Sequence, residues 1–339
     1  MRAWQVTRYG TPSESLEQVD VSEPSPGSEE IRLRVHAAAL GLPDAFMCGG
    51  TYGFSPSMPF IPGEEVCGTV VELGSSVSGF TVGQRVMGVT SFPEGHGGFA
   101  EQTLARAGSC FRVPDDMTDV DAAGFRIGYS TAWIGLVRRG ELREGQQLLV
   151  LGAAGGSGAA AVQLGAALGA RVIAVAAGAR KGDYCKRLGA DVVIDRTRCV
   201  VSEAVRELTD GGGVDVVYDP VGGDPAADAT RCVAPEGRFL IVGHASGSWL
   251  TPSIPRLVTR NYSLVGVYAG RYTREQNEAD HEALLALVAE GALGTCVTNT
   301  AEFDDLPDAL DEVARGEAVG KTVLLAPGHQ PPPTEGTPR

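Results

Sequence analysis

The chemistry of this chain concentrates first in Gly152-Ala153-Ala154-Gly155-Gly156-Ser157-Gly158, a run that follows the apolar Leu148-Leu149-Val150-Leu151 and leads into small residues from Ala159 to Leu168. A glycine turn between a buried strand and a helix start makes an anion site. Backbone N–H groups point out of the first helical turn, and the helix dipole favours negative charge there. Glycine lets a pyrophosphate reach the backbone without meeting a Cβ. The strand before and the helix after are the context that separates such a site from a glycine-rich loop with no ligand. A second chemical signal is Ala176-Ala177-Gly178-Ala179-Arg180-Lys181. Readers of an unphosphorylated ribose place an acid at the end of the second strand. None stands here; Gly178 leaves room for a 2′-phosphate, and Arg180 and Lys181 supply charge to pair with it.

These residues need a sheet to hold them, and the chain provides one. Arg171 to Ala176, Asp191 to Ile194, Val214 to Tyr218, Arg238 to Val242 and Ser263 to Val267 read as further strands after the first. Lys181 to Leu188 and Ser202 to Thr209 read as helices, stopped by Gly189 and by Gly211-Gly212-Gly213. Short apolar strands alternating with helices mean crossovers and a doubly wound parallel sheet. Ligands of such sheets sit outside the carboxyl ends of the strands. Gly243-His244 and Tyr268-Ala269 follow the fifth and sixth strands and fall on that side.

Bulk properties limit the partners. The 339 residues carry a net charge of −14 with no basic tract, which argues against nucleic acid or an anionic membrane as partner. No apolar run reaches membrane-spanning length, and Met1-Arg2-Ala3-Trp4-Gln5-Val6 has no signal-peptide core. The seven cysteines are scattered, odd in number and form no C-x-x-C pair, so reduced thiols and a cytoplasmic location are expected.

The N-terminal part has another texture. Ile31-Arg32-Leu33-Arg34-Val35-His36-Ala37 alternates apolar and polar residues, as a half-buried strand does. Val66 to Leu73 and the stretch from Gly79 to Gly88 read as short strands joined by glycine turns, which suggests a small β-barrel. The expected division is a barrel domain over 1–121 and a cofactor-binding sheet domain over 122–261. A segment over 262–326 carries the last sheet strand, a helix over His281 to Ala289 and the return to the barrel domain. A disordered proline- and glycine-rich tail follows over 327–339.

Together the pieces resemble the medium-chain dehydrogenase/reductase superfamily, and within it the zinc-free quinone oxidoreductase group, over nearly the whole chain. The resemblance is carried by Pro59-Phe60-Ile61-Pro62-Gly63-Glu64-Glu65-Val66-Cys67-Gly68-Thr69-Val70 and by the spacing of Gly74, Val77, Gly79, Val82, Gly83, Arg85 and Val86. Gly97-Gly98-Phe99-Ala100-Glu101, the glycine turn and Val214-Asp215-Val216-Val217-Tyr218-Asp219 follow in order. It implies a GroES-like barrel domain, a Rossmann domain, a nicotinamide cofactor in the cleft and a homodimer.

Departures from the zinc-dependent relatives are informative. Their G-H-E histidine is replaced by Glu64, and their ligand cysteines would fall near Gly41 and Ile127, so no metal site is expected. Without a Lewis acid, acceptors that spread negative charge over a conjugated system become favoured. Residue by residue, Tyr52 matches a tyrosine that similar enoyl reductases place near the substrate, and it is the catalytic candidate. Asp44 matches a family aspartate of structural character, and Gly41 stands where family members often have asparagine. Thr131 in Tyr129-Ser130-Thr131-Ala132, Arg196 at the place of a tyrosine after the third strand, and Lys321 in Gly320-Lys321-Thr322 match cofactor-side positions; for Lys321 a solvated role is the alternative. His36, His96, His281 and His329 show no spacing of a triad or metal site. The expected function is NADPH-dependent hydride transfer to a small conjugated acceptor, a quinone or an α,β-unsaturated carbonyl. An enoyl-thioester reductase and a low-turnover NADPH-binding redox sensor are the alternatives.

Overall fold

In the computed structural model, residues 1–328 are described, and they fall into two compact units: 1–127 with the chain from Thr295 onward, and 128–294. Most of the expected tail, including His329, lies outside the described residues.

The first unit is built on antiparallel strands. Its elements are β1 (Arg2–Val6), α1 (Pro12–Ser15), β2 (Leu16–Asp20), β3 (Glu30–Ala39), α2 (Leu42–Cys48), β4 (Glu65–Leu73), β5 (Arg85–Val89), β6 (Gln102–Arg106), β7 (Cys110–Arg112) and α3 (Asp119–Ala123). The alternation read in residues 31–37 is real: Ile31, Leu33, Val35 and Ala37 are buried, while the residues between them are partly exposed or exposed. The stretch 79–88 corrects the sequence reading. It is loop and turn up to Gln84, and only Arg85–Val89 pairs, against β4.

The second unit opens with α4 (Arg126–Trp133), whose first two residues belong to the first unit and which continues as a π-helical stretch over Ile134–Arg139. Then follow β8 (Gln147–Val150), α5 (Gly156–Ala167), β9 (Arg171–Ala176), α6 (Gly178–Arg187), β10 (Val192–Asp195), α7 (Val201–Leu208), β11 (Val214–Asp219), α8 (Gly223–Ala229), β12 (Val233–Ile241), α9 (Ile254–Arg260), β13 (Ser263–Gly266) and α10 (Arg274–Ala289). The six strands pair in parallel in the order β10-β9-β8-β11-β12-β13. This is a doubly wound sheet whose order reverses beside β8, where a ligand belongs. Leu148, Leu149 and Val150 are fully buried, as a strand covered by helices on both faces requires. Arg138 fixes α10 through a bidentate pair with Asp280 at 2.7–3.0 Å.

The chain then returns to the first unit with β14 (Val297–Ala301), α11 (Leu306–Ala314) and β15 (Lys321–Leu325). β15 lies antiparallel to β3 and completes a sheet in the order β14-β15-β3-β4-β5-β7, with β6 pairing β3. Leu306 and Leu310 of α11 pack into the core with Met47, Val66 and Phe99.

The units differ from the expected division. α3 packs on β3, β4 and β5, so the first boundary falls at 127/128 rather than 121/122. The sheet unit runs to Gly294 and keeps α10, which begins at Arg274 rather than His281 because Thr273 caps it and accepts from the Gln276 N–H.

Candidate functional site

In the sheet unit the glycine turn forms as the strand-turn-helix context requires. β8 ends at Val150, Gly155 caps α5, and Gly156, Ser157 and Gly158 fill its first turn. Their N–H groups have no acceptor within the helix. Gly158 must be glycine: a Cβ there would lie 2.3 Å from the Gly152 carbonyl oxygen, so any side chain forces the turn open. Gly152 and Gly155 are exposed, Ala153 and Ala154 are buried beneath them, and the Ser157 hydroxyl bonds the buried Tyr218 hydroxyl at 2.9 Å. The arrangement is an open row of backbone donors on a rigid base.

The neighbouring strand ends add charge. A Cβ on Gly178 would meet nothing within 4 Å, so the space beside the start of α6 is open. Arg180 and Arg196 are exposed and Lys181 partly so. Asp195 was missed in the sequence. Its carboxylate accepts from the Thr197 hydroxyl (2.7 Å), the Thr197 N–H (3.0 Å) and the Gly178 N–H (3.1 Å), and the Thr197 bonds hold its pKa below the usual value. It joins the end of β10 to the start of α6 and so fixes where Gly178 and Arg196 lie.

On the same carboxyl side, β11 ends at Asp219, which accepts from Val221 (2.8 Å) and Gly222 (2.9 Å); burial pushes its carboxyl up to about 6. Gly243 follows β12, and its N–H donates to the Asp219 carbonyl at 3.2 Å. His244 is stacked on Trp249 with ring centroids 4.3 Å apart, and Tyr268, after β13, is half exposed. Thr131 lies on α4 one turn past Gly128, where a Cβ would approach Gly156 and Ala160 of α5 at 3.5 and 3.6 Å.

The barrel unit holds the other group. Gly63 has φ +109° and lies against the Gly98 and Phe99 backbone; a Cβ would lie 2.7 Å from the Gly98 nitrogen. That turn sends Glu64 and Glu65 into the interior, where they are 8% and 2% exposed. Asp44 on α2, 1% exposed, accepts from the N–H groups of Gly41 (2.8 Å), Gly63 (3.0 Å) and Glu64 (3.2 Å). Asp44 is therefore a brace between α2 and the turn. Glu65 takes the Ile127 N–H at 2.6 Å and pairs with Lys321. Lys321 is thus buried on β15 against a carboxylate, not solvated, and its charge is committed inside the barrel unit. Tyr52 is partly buried, with its ring 5.7 Å from that of Phe54 and 6.4 Å from that of Phe92. Burial raises the Glu64 pKa first, and the Asp44 charge raises it further.

The burial of Glu64 went unread because it was weighed only as a failed metal ligand. The available signal was two adjacent acids opening an otherwise apolar strand. His36 also corrects the sequence reading. Its two ring nitrogens contact Asp119 and Thr69 at 3.0 Å, and among the described residues His36, Cys67 and Asp119 bring one ligand atom each within 4.8 Å of one another. Arg85 donates to the same Asp119 carboxylate at 2.8 and 3.0 Å, and burial pushes the Cys67 thiol up. The trio serves as a hydrogen-bonded brace between α3 and the sheet.

Comparison with known proteins follows these two halves. Residues 27–115 match the alcohol dehydrogenase GroES-like domain family, and residues 156–290 match the zinc-binding dehydrogenase family. A quinone oxidoreductase-like protein 2 homolog of Nematostella vectensis is 35% identical over 304 residues, covering 88% of this chain and 82% of its own. A mycobacterial protein solved with NADPH superposes with a TM-score of 0.89 at 31% identity, over 96% of this chain and 100% of its own. The Escherichia coli quinone oxidoreductase solved with NADPH gives 0.90 at 25%, with the same coverage.

Proposed function

The chain belongs to the quinone oxidoreductase-like group of the medium-chain dehydrogenase/reductase superfamily, and from that premise we propose that it is an NADPH-dependent reductase of a quinone or an α,β-unsaturated carbonyl, working without zinc. The observation that carries the cofactor half is the glycine-lined start of α5 beside the acid-free end of β9. The residues present fit the cofactor. Gly152 to Gly158 receive the pyrophosphate; Gly178 leaves space for the 2′-phosphate, and Arg180, Lys181 and Arg196 offer it cations. Each well-placed charged contact is worth roughly 1.5–3 kcal/mol. Thr131, Gly243, His244 and Tyr268 stand on the same unit as further contacts. Lys321 drops out of this set, because Glu65 holds it. Two relatives of known structure were solved with NADPH, which supports the same choice.

The acceptor half rests on the barrel unit. The positions equivalent to zinc ligands hold Gly41, Glu64 and Ile127, and two of these have no side-chain ligand atom. Glu64 is instead buried, with its backbone N–H held by Asp44. When bound, NADPH supplies a hydride. The protein's part is to hold the acceptor and deliver a proton. Tyr52 is the candidate for that step, since a phenol O–H can donate a proton. A conjugated acceptor delocalises the incoming charge and so needs no metal to polarise its oxygen. Following NADPH oxidation with a small panel of quinones and enones tests the proposal. Turnover of some member is expected. Tight NADPH binding with none turned over would favour the redox-sensor alternative.

A further inference from the structure

We propose that Asp195 is the positioning residue behind a preference for NADPH over NADH: its carboxylate locks the two segments that carry the 2′-phosphate cations into one pocket. The inference deepens the cofactor half of the proposed function and rests on it. Arg180 and Lys181 stand two and three residues past Gly178 at the start of α6, and Arg196 stands just past β10. α6 opens without a cap of its own. Ala177 occupies the N-cap position and has no side-chain acceptor, and Gly178 after it has φ +75°, a conformation that favours glycine. Glycine also gives the backbone more freedom to lose, so the start of α6 needs an anchor from outside the helix. Asp195 supplies it. Asp195 is paired with Ala176 across the parallel strands, and the Arg196 N–H donates to the Ala176 carbonyl at 3.0 Å. The Asp195 Oδ1 accepts the Gly178 N–H at 3.1 Å. The same oxygen accepts the Thr197 N–H at 3.0 Å and the Thr197 hydroxyl at 2.7 Å, which closes a turn around Arg196. One oxygen therefore sets the place of Gly178 on one side and of Arg196 on the other.

The consequence falls on one cofactor. A 2′-phosphate brings roughly two negative charges and needs the cations of both segments together. A pocket already assembled spares the ordering cost of gathering them on binding. A ribose with a free 2′-hydroxyl leaves those cations unused, so NADH is indifferent to the lock. The lock works through the position of an oxygen rather than through charge, because an asparagine Oδ1 can accept the same three bonds. This separates Asp195 from an acid that reads the ribose itself. Such an acid stands at the end of the second strand and hydrogen-bonds the ribose hydroxyls directly; Asp195 ends the third and spends its Oδ1 on the protein.

The test titrates the full chain with NADPH and with NADH by fluorescence, for the wild type, Asp195→Ala, Asp195→Asn, Arg180→Ala and the Asp195→Ala/Arg180→Ala double variant. Asp195→Ala should weaken NADPH about 10-fold and leave NADH unchanged. Asp195→Asn should keep the wild-type preference. The double variant should lose less than the product of the single losses, because both substitutions act on the same phosphate contact. If Asp195→Ala does not fold, Thr197→Val carries the test: it removes the shortest of the three bonds and should give a smaller loss confined to NADPH. Equal losses of both cofactors in Asp195→Ala, independent losses in the double variant, or an Asp195→Asn that behaves like Asp195→Ala overturns the positioning role. Weakened NADH in Asp195→Asn would make the carboxylate a ribose reader and overturns it too. A wild-type preference for NADPH that survives both Asp195→Ala and Thr197→Val overturns Asp195 alone. A wild type that binds NADH as tightly as NADPH overturns the cofactor reading and the inference together.

Discussion

Arg180 and Tyr52 are the residues on which cofactor choice and chemistry turn. Arg180 is exposed beside the open space at Gly178, so its value is confined to a ligand that brings a phosphate there. Arg180→Ala should weaken NADPH by about 10-fold and leave NADH unchanged, read by fluorescence titration of both cofactors. Equal losses for the two would mean that Arg180 only shapes the loop. Tyr52 packs against Phe54 and Phe92, which a phenylalanine in its place can also do. Tyr52→Phe should therefore keep stability and NADPH affinity while lowering enone turnover by roughly 10²–10⁴-fold. A quinone should suffer less, because its reduced oxygens take protons from water. The sequence exposed Arg180 and Tyr52 because one is a missing acid and the other a match to a family position. It concealed the Lys321–Glu65 pair, because that depends on β15 pairing with β3 and β3 with β4, contacts that join residues far apart in the chain.

At the level of elements, the strand-turn-helix from β8 to α5 was legible because its signal is local: apolar run, glycines, small residues. Its weak point is local too. Gly158→Ala places a methyl 2.3 Å from the Gly152 oxygen and should abolish binding of either nucleotide by displacing the turn, seen as loss of fluorescence change with little loss of sheet structure by circular dichroism. The anchoring of α3 was not legible, since Asp119, His36, Cys67 and Arg85 come from four separate segments. Burial opposes ionisation of Asp119, but the hydrogen bonds from His36 and Arg85 outweigh it and hold its carboxyl well below the usual range. A carboxylate with a lowered folded pKa stabilises the fold above its unfolded value, and that stability is lost as pH falls. Asp119→Asn should thus cost about 2–4 kcal/mol at neutral pH, with the difference from wild type shrinking in acid; denaturant titrations at both ends check it.

For the whole molecule, the net charge of −14 makes the basic strand ends at Arg180, Lys181 and Arg196 a local exception, so a polyanionic cofactor must be captured by a site rather than drawn by the surface. Among the described residues no helix is long and apolar enough to cross a membrane. β13 is the edge of the parallel sheet and exposes Ser263 and Gly266. An open edge is a liability that pairing removes, and we propose a homodimer joined there; light scattering should give twice the mass of one chain. The central claim is tested most directly by one rate measurement: oxidation of NADPH and of NADH by a quinone, with and without a zinc chelator. The account predicts faster turnover with NADPH and no effect of the chelator. Loss of activity on chelation, or a preference for NADH, would contradict it.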